Sequence, residues 1–346
     1  MIPRFRIDLY SDTKTRPTLA MRAAIAAAEV GDEQSFEDPT VLELTQRCAR
    51  MLGQEDAVFL PSGTMANEIA VLLHCEPGDE IIGHENSHLF NFEAGAPAAL
   101  AGAMIKAVRG ERGMFDAASL RAAIRPVRRL GPRSRLVVVE QTANISGGCV
   151  WPLDEVREVA AIARENGLLL HLDGARLMNA AVALKVEPRA FGELFDTVFI
   201  DFSKGLGAPV GAVLAGSQVA IERAWRFKQR LGGSMRQAGI LAAACLHALD
   251  HHVERLAVDH ENARKLGDLL AEIRGIAVEP VATNMVMFDV AGLGLSADAF
   301  NTRLGKCGIR MSVLGPTRLR AVTHLDIDAI MIDEVARGAS RIASEC

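Results

Sequence analysis

The chain lacks any excess of basic residues, because its 38 lysines and arginines are outnumbered by 43 aspartates and glutamates. The resulting formal net charge of -5 gives no electrostatic support for nucleic-acid binding. The length of 346 residues and the hydrophobic content of 49% are typical of a globular protein with a large buried core. We therefore expect no nucleic-acid partner.

Paired cysteines and metal-binding histidine motifs are also missing. The six cysteines are widely scattered without a C-x-x-C pair, and none of the nine histidines falls in an H-E-x-x-H or similar spacing. Free, mostly buried thiols in a reducing compartment explain the cysteines better than a disulfide framework does. The sequence predicts neither disulfides nor a metal site.

Long apolar runs are absent as well, since no uninterrupted apolar stretch reaches membrane-spanning length. The first six residues lack the apolar run and the small-residue cleavage site of a secretory leader. No repeat, low-complexity linker or block of like charge divides the chain. We expect a cytoplasmic protein that has no membrane partner.

What the chain does contain is an alternation of helical patterns with short, continuously apolar strands. Continuous apolar runs indicate strands that are buried on both faces, as in a mainly parallel sheet covered by helices. Strands are predicted at residues 57–60, 80–83, 135–140, 168–173, 197–202 and 210–215, and helices at residues 19–29, 41–52, 153–165 and from the turn at 61–64 to residue 75.

The pattern changes after Gln237 and becomes that of a smaller α+β domain. We expect an α/β fold with a large domain at residues 1–245 and a small C-terminal domain at residues 246–346, packed tightly together. The predicted C-terminal elements are one long helix over residues 238–270, a strand at 285–288, and helices at 297–306 and 328–342.

Residues that can bind a ligand stand after the predicted strands, where an open parallel sheet binds its ligands. Ser62, Gly63 and Thr64 follow a strand and open a helix, whose free N–H groups favour a phosphate. The same tripeptide is also a common turn and helix cap. His88 follows the next strand, where it is either structural or stacks on a flat cofactor and moves protons.

Two further strand ends carry ionisable side chains. Asp173 either caps the next helix or keeps the nitrogen of a pyridine ring protonated, so that electrons can drain into the ring. Lys204, between Ser203 and Gly205, is either a solvated strand end or a Schiff-base amine. A phosphate cradle, a ring stacker, a ring-nitrogen acid and a Schiff-base lysine together indicate a site for pyridoxal 5'-phosphate (PLP).

The sequence also resembles the threonine aldolases of the β-eliminating lyase group over nearly its full length. The most specific strings are H-L-D-G-A-R at residues 171–176 and S-K-G-L-G-A-P-V-G at residues 203–211. The resemblance implies the aspartate-aminotransferase-like PLP fold and a homo-oligomer with shared active sites, a tetramer being favoured. The other matching segments are residues 8–13, 37–40, 61–67, 235–239 and 320–324.

The resemblance also implies a role for each site residue. Lys204 would hold the cofactor, Asp173 would pair with the pyridine nitrogen, and His88 would stack on the ring. The remaining cofactor contacts are assigned to Ser62, Gly63, Thr64, Arg176 and Ser203, with Arg236 added from a neighbouring subunit.

The substrate carboxylate is assigned to Ser11, Arg176 and Arg320, because these residues match the family's carboxylate-binding positions. A guanidinium suits this task, since its fork grips both carboxylate oxygens. Arg310 and Arg318 are rivals for the same role, and each arginine taken singly could instead form a surface ion pair.

Two departures from the family pattern concern the surroundings of the substrate β-carbon. The family's E-N-T-H-N reads E-Q-T-A-N at residues 140–144, so that Ala143 replaces a histidine near the substrate hydroxyl. Ser35 replaces the tyrosine of an early loop. We expect both changes to enlarge the pocket and to relax selection between the two β-configurations.

A retro-aldol lyase is the function that these residues favour. It would cleave L-β-hydroxy-α-amino acids, such as L-threonine, L-allo-threonine or phenylserine, to glycine and an aldehyde. The base that takes the hydroxyl proton is His88 or a bound water. A β-eliminating lyase, another PLP reaction and a non-enzymatic PLP-binding protein remain alternatives, because cofactor residues do not choose which bond breaks.

Overall fold

The structure is a computed structural model that describes residues 5–346, so the first four residues of the segment expected to lack a leader lie outside the described residues. The strands are β1 (Ile7–Leu9), β2 (Asp56–Leu60), β3 (Asp79–His84), β4 (Met104–Val108), β5 (Arg133–Glu140), β6 (Leu169–Asp173), β7 (Thr197–Asp201), β8 (Ala212–Gly216), β9 (Ala277–Val278), β10 (Met285–Asp289), β11 (Ile309–Val313) and β12 (Arg318–Val322). The helices are α1 (Leu19–Ala26), α2 (Pro39–Leu52), α3 (Gly63–His74), α4 (His88–Asn91), α5 (Ala96–Ala101), α6 (Ala117–Ala123), α7 (Leu153–Glu165), α8 (Leu177–Leu184), α9 (Arg189–Gly192), α10 (Gln218–Arg230), α11 (Gly239–His251), α12 (Leu256–Ala271), α13 (Ala297–Lys306) and α14 (Ala329–Ser344).

A seven-stranded sheet in the order β2-β8-β7-β6-β5-β3-β4 forms the centre of the larger part. Strand β8 is antiparallel to both of its neighbours, and the other neighbouring pairs are parallel. Strands β2, β3, β5, β6 and β7 therefore end at the same edge of the sheet. Apolar side chains of this sheet and its covering helices form the largest buried cluster, in agreement with the predicted α/β class.

The C-terminal part contains a five-stranded sheet in the order β1-β11-β12-β10-β9. Strand β1 pairs in parallel with β11, and Ile7 and Leu9 are buried in the core of this second sheet. The N-terminal strand thus packs with the C-terminal region rather than with the sheet that follows it in sequence. The boundary between residues 245 and 246 remains a prediction, and it falls inside helix α11.

The predicted single helix over residues 238–270 is wrong, since the chain forms two helices, α11 and α12, separated by residues 252–255. The break contains neither glycine nor proline. Its cause is tertiary, because buried His252 turns inward and its Nδ1 lies 2.7 Å from the carbonyl oxygen of Leu206. The helices at residues 153–165 and 297–306 have the predicted bounds.

The cysteines and the lengths of the helices bear on two expectations from the sequence, namely free thiols and no membrane-spanning segment. All six cysteines are free, four of them buried, whereas Cys307 and Cys346 are exposed. None of the helices found between residues 5 and 346 combines the length and apolar character needed to cross a membrane.

Candidate active site

A cavity of about 300 Å³ opens at the carboxyl ends of the parallel strands. It collects the predicted site residues from distant parts of the sequence, with the exception of Arg236. The predicted residues that line it are Ser11, Ser62, Gly63, Thr64, His88, Asp173, Arg176, Ser203, Lys204 and Arg320.

The start of helix α3 forms one wall of the cavity. Ser62 is its N-cap, and the Ser62 hydroxyl accepts a hydrogen bond from the backbone N–H of Met65 at 3.2 Å. The first N–H groups of a helix have no partner within it and can bind an anion. A Cβ at Gly63 would lie 2.9 Å from both Asp201 Oδ2 and Phe199 Cε2, so close packing requires glycine here.

Lys204 lies just beyond β7 with its amine turned into the cavity lining. Its Nζ donates to Asp201 Oδ2 at 2.6 Å. The backbone N–H and the hydroxyl of Ser203 both donate to the other oxygen of Asp201, at 2.8 and 2.7 Å. The lysine is therefore held by a buried carboxylate rather than being a solvated strand end.

Asp173 closes β6 and is almost fully buried. Its Oδ2 accepts from Asn67 Nδ2 at 2.9 Å, and its Oδ1 accepts from the backbone N–H of Ala175 at 3.1 Å. The N-cap of the next helix is Arg176, so Asp173 does not cap it. The helix-cap alternative for this aspartate is thus excluded.

His88 lies beside two buried glutamates. Its Nδ1 is 2.9 Å from Glu93 Oε1, and its backbone N–H donates to Glu140 Oε2 at 2.6 Å. Burial lowers the pKa of His88, but the Glu93 hydrogen bond and the charges of Asp173, Glu93 and Glu140 raise it overall. Burial and the nearby charge of Asp173 raise the pKa of Glu140 to about 7.

The cavity also contains two arginines in unequal environments. Arg176 is bound by both oxygens of buried Asp12, at 2.7 Å each. Arg320 has no carboxylate partner within the described chain: its Nη1 donates to Asn144 Oδ1 at 2.8 Å, and its buried Nε has no hydrogen-bond partner. Burial, together with the charge of Arg176, lowers the pKa of Arg320 to about 10.

The rival arginines lie outside the cavity. Arg310 pairs with Asp8, and Arg318 pairs with Glu279. Arg236 is also outside it, with an exposed side chain that donates to Asp32 at 2.7 Å. The structure thus separates Arg320 from its rivals, while a role for Arg236 at a neighbouring subunit remains a prediction.

The two departures from the family pattern do not lie where the sequence placed them. Ser35 is exposed and does not line the cavity. Ala143 is buried and lines a smaller neighbouring cavity, where a Cβ added to Gly113 would lie 2.6 Å from the Ala143 Cβ. Neither residue lines the main cavity within the described chain, so the enlargement expected from them stays a prediction.

Six polar residues of the cavity were not assigned from the sequence: Thr13, Asn67, Glu93, Glu140, Asn144 and Asp201. Asn67 and Asn144 lie inside motifs that the sequence singled out, and Asp201 closes an apolar strand just before Ser203, which is a usable signal. Glu93 follows a four-residue helix and had no such signal.

Three potential metal-ligand atoms, from His88, Glu93 and Asp173, lie within 4.8 Å of one another. The Asn67 amide donates to Glu93 Oε1 at 2.6 Å and to Asp173 Oδ2 at 2.9 Å. These N–H groups already supply the positive partner that a cation would otherwise provide.

A family model described as beta-eliminating lyase matches residues 8–292. Low-specificity L-threonine aldolase 1 of Arabidopsis thaliana is 41% identical over 328 residues, which cover 93% of this chain and 92% of that protein. The low specificity L-threonine aldolase of Escherichia coli K12 is 40% identical over 336 residues, covering 95% and 97%.

Solved structures agree on the fold. Leishmania major threonine aldolase superposes with a TM-score of 0.84 at 20% sequence identity, covering 97% of this chain and 99% of that chain. Serine palmitoyltransferase of Sphingomonas wittichii superposes with a TM-score of 0.76 at 17% identity, covering 98% and 87%. The fold is thus the aspartate-aminotransferase-like fold of PLP-dependent enzymes. The chain belongs to the beta-eliminating lyase family, in the branch that contains the low-specificity threonine aldolases.

Proposed function

We propose that the chain binds PLP in this cavity and cleaves L-β-hydroxy-α-amino acids to glycine and an aldehyde. The observation that carries the proposal is the coexistence, in one cavity, of the Lys204 amine, the buried Asp173 carboxylate and an Arg320 side chain without a carboxylate partner. Relatives named low-specificity L-threonine aldolase support the same reaction class.

The residues fit PLP at three points. The start of α3 offers N–H groups to the phosphate, Lys204 offers its amine to the aldehyde, and Asp173 offers a carboxylate to the ring nitrogen. When bound, PLP supplies an electron sink for the substrate bond that breaks. Asp173 is suited to stabilise a protonated ring nitrogen because the Asn67 amide, a neutral donor, supports its charged form without cancelling the charge.

Arg320 is the residue that we assign to the substrate carboxylate. Its buried Nε lacks a partner and its charge is not neutralised by an acid, so an incoming carboxylate would satisfy both. Ser11 and Arg176 line the same wall. Arg176 is already paired with Asp12, so it orients this wall more than it attracts the substrate.

His88 is our candidate for holding the proton of the β-hydroxyl, with a bound water as the alternative. Glu93 lies at its Nδ1, which leaves Nε2 available to accept a proton when the ring is neutral. The raised pKa of His88 limits the neutral fraction, so this step is expected to become faster as pH rises.

Borohydride reduction followed by peptide mapping tests the cofactor site. We expect the reduced phosphopyridoxyl group on Lys204, and we expect Lys204→Ala to abolish both the visible absorbance of the PLP-loaded protein and its turnover. Lys228 provides an internal control, since this buried lysine is paired with Glu33 outside the cavity. Label on Lys228 or any other lysine would overturn the assignment.

The substrate range is tested by comparing kcat/KM for L-threonine, L-allo-threonine and L-phenylserine. We propose strict selection of the L-configuration at Cα and loose selection at Cβ, supported by the relatives' description as low-specificity enzymes. A large preference for one β-configuration, with phenylserine inert, would contradict the second part. Release of pyruvate and ammonia instead of glycine and aldehyde would favour the β-elimination alternative.

We also propose a cytoplasmic homo-oligomer, with four subunits favoured, in which Arg236 serves a neighbour's cofactor. The support is the exposure of Arg236 and its position outside its own cavity. Light scattering at working concentration should show an oligomer, and Arg236→Ala should weaken PLP binding. A fully active monomer would contradict this arrangement.

A further inference from the structure

A series of buried hydrogen bonds leads from Asp173 into the interior of the protein. Asn67 Nδ2 donates to Asp173 Oδ2 at 2.9 Å and to Glu93 Oε1 at 2.6 Å. Asn67 Oδ1 lies 2.9 Å from His171 Nε2. Asn67 and His171 are both buried, with 1% and 0% of their surface exposed.

The series continues across the sheet to helix α3. His171 Nδ1 lies 2.8 Å from Thr197 Oγ1, and the same hydroxyl lies 2.9 Å from His74 Nε2. Thr197 is fully buried and does not line the cavity. The side chains of His171, Thr197 and His74 are therefore connected to the site through Asn67.

The chemistry of the groups fixes the direction of every bond. Asn67 faces two carboxylates, so its N–H groups must point to them and its Oδ1 must point to His171. His171 then has to carry its hydrogen on Nε2. Burial lowers the pKa of His171 to about 3, so the ring is neutral and its Nδ1 is an acceptor.

The rest of the series follows from this tautomer. The Thr197 hydroxyl must donate its only hydrogen to His171 Nδ1, and it therefore accepts from His74 Nε2. Burial lowers the pKa of His74 to about 4, so His74 is also neutral. All the hydrogens point toward Asp173 and Glu93.

We propose that Thr197 and His171 are positioning residues that fix the orientation of the Asn67 amide and thereby hold an N–H donor on Asp173. The proposal rests on the proposed function, in which Asp173 must stay ionised beside the cofactor ring. If Thr197 no longer donates to His171 Nδ1, the ring can carry its hydrogen on Nδ1, and its bare Nε2 would then repel Asn67 Oδ1 and displace the amide from Asp173. Asp173 would then lose the hydrogen bond from Asn67 that stabilises its carboxylate.

A matched pair of variants separates this role from simple packing. Thr197→Val keeps the shape of the side chain but removes the hydroxyl, whereas Thr197→Ser keeps the hydroxyl but removes the methyl group. We expect T197V to lower kcat about tenfold while KM stays within about twofold, and T197S to remain close to the parent enzyme. If Thr197 matters only for packing, the serine variant will be at least as impaired as the valine variant, and the inference is then wrong.

Nitrogen NMR of the histidine side chains gives a second readout that does not depend on activity. In the parent protein without cofactor, at neutral pH, His171 should be neutral with its hydrogen on Nε2. A cationic His171, or one with its hydrogen on Nδ1, would contradict the proposed directions of these hydrogen bonds, even if T197V failed to fold. Failure of the parent protein to bind PLP or cleave threonine would instead contradict the proposed function and leave the tautomer result intact.

Discussion

The two ends of the cavity carry opposite charges and neutralise them differently. At the end next to β6, Asp173 accepts hydrogen bonds from an asparagine amide and from a backbone N–H group, and these neutral donors do not cancel its negative charge. At the other end, Arg176 is neutralised by Asp12, whereas Arg320 lacks a carboxylate partner within the described chain.

This difference indicates what each end is built to receive. Uncancelled negative charge suits a protonated ring nitrogen, and a single uncancelled guanidinium suits a carboxylate. Asn144 connects the two ends, because its backbone N–H donates to Glu140 at 2.8 Å while its side-chain oxygen accepts from Arg320 at 2.8 Å. Substitution of Asp173 should therefore affect mainly kcat, whereas substitutions of the two arginines should affect stability or KM.

The largest effect is expected from Arg176→Ala, and it should appear in stability. The change leaves Asp12 buried without its ion-pair partner, which typically costs about 3–5 kcal/mol in the free energy of unfolding. Denaturant unfolding checks the value. Arg320→Ala is the control, and an equal loss in that variant would remove the distinction between the two arginines.

Asp173→Asn should leave stability nearly unchanged but lower kcat by roughly 30- to 1,000-fold, the equivalent of about 2–4 kcal/mol. The amide carries no charge to stabilise a protonated ring nitrogen. Steady-state kinetics of the PLP-loaded variant, with PLP content measured in parallel, test this. Near-normal turnover would mean that the negative end is not matched to the cofactor.

Arg320→Ala should act mainly on substrate binding and raise KM for L-threonine by about tenfold to a hundredfold, since one charge-assisted interaction is lost. PLP affinity should change little because Arg320 is not assigned to a cofactor contact. The matched control is Arg318→Ala, which removes an arginine from the same strand outside the cavity. A KM effect of equal size in the control would contradict the assignment.

The smallest effect concerns Glu140 and pH. With its pKa raised to about 7, Glu140 loses its carboxylate form as pH falls through neutrality, which weakens the hydrogen bonds that it accepts from His88 and Asn144. We expect substrate affinity to fall about threefold to tenfold over this range, and Glu140→Gln to remove the dependence. Glu80→Gln, a buried glutamate of β3 outside the cavity, is the control and should keep the parent profile.

Much of the candidate site could be predicted because its residues lie at, or within a few residues after, the ends of apolar strands. Lys204, Asp173 and His88 were found in this way, and parallel strands bring such ends together at one edge. Glu93 could not be found, since it follows a four-residue helix and reaches the site through its hydrogen bond to His88. The effect of Ala143 and Ser35 on the pocket stays a prediction, because neither residue lines the main cavity of the described chain.

By itself, the sequence predicted the α/β class, the family and the candidate cofactor lysine, because apolar periodicity and contiguous motifs are local properties of the chain. Only the tertiary structure decided the break between α11 and α12, the pairing of β1 with β11, and the choice of Arg320 as the arginine without an acidic partner. Each of these depends on a contact between residues far apart in sequence. Burial then sets the energetic consequence, because a buried charge or donor must find its partner within the fold.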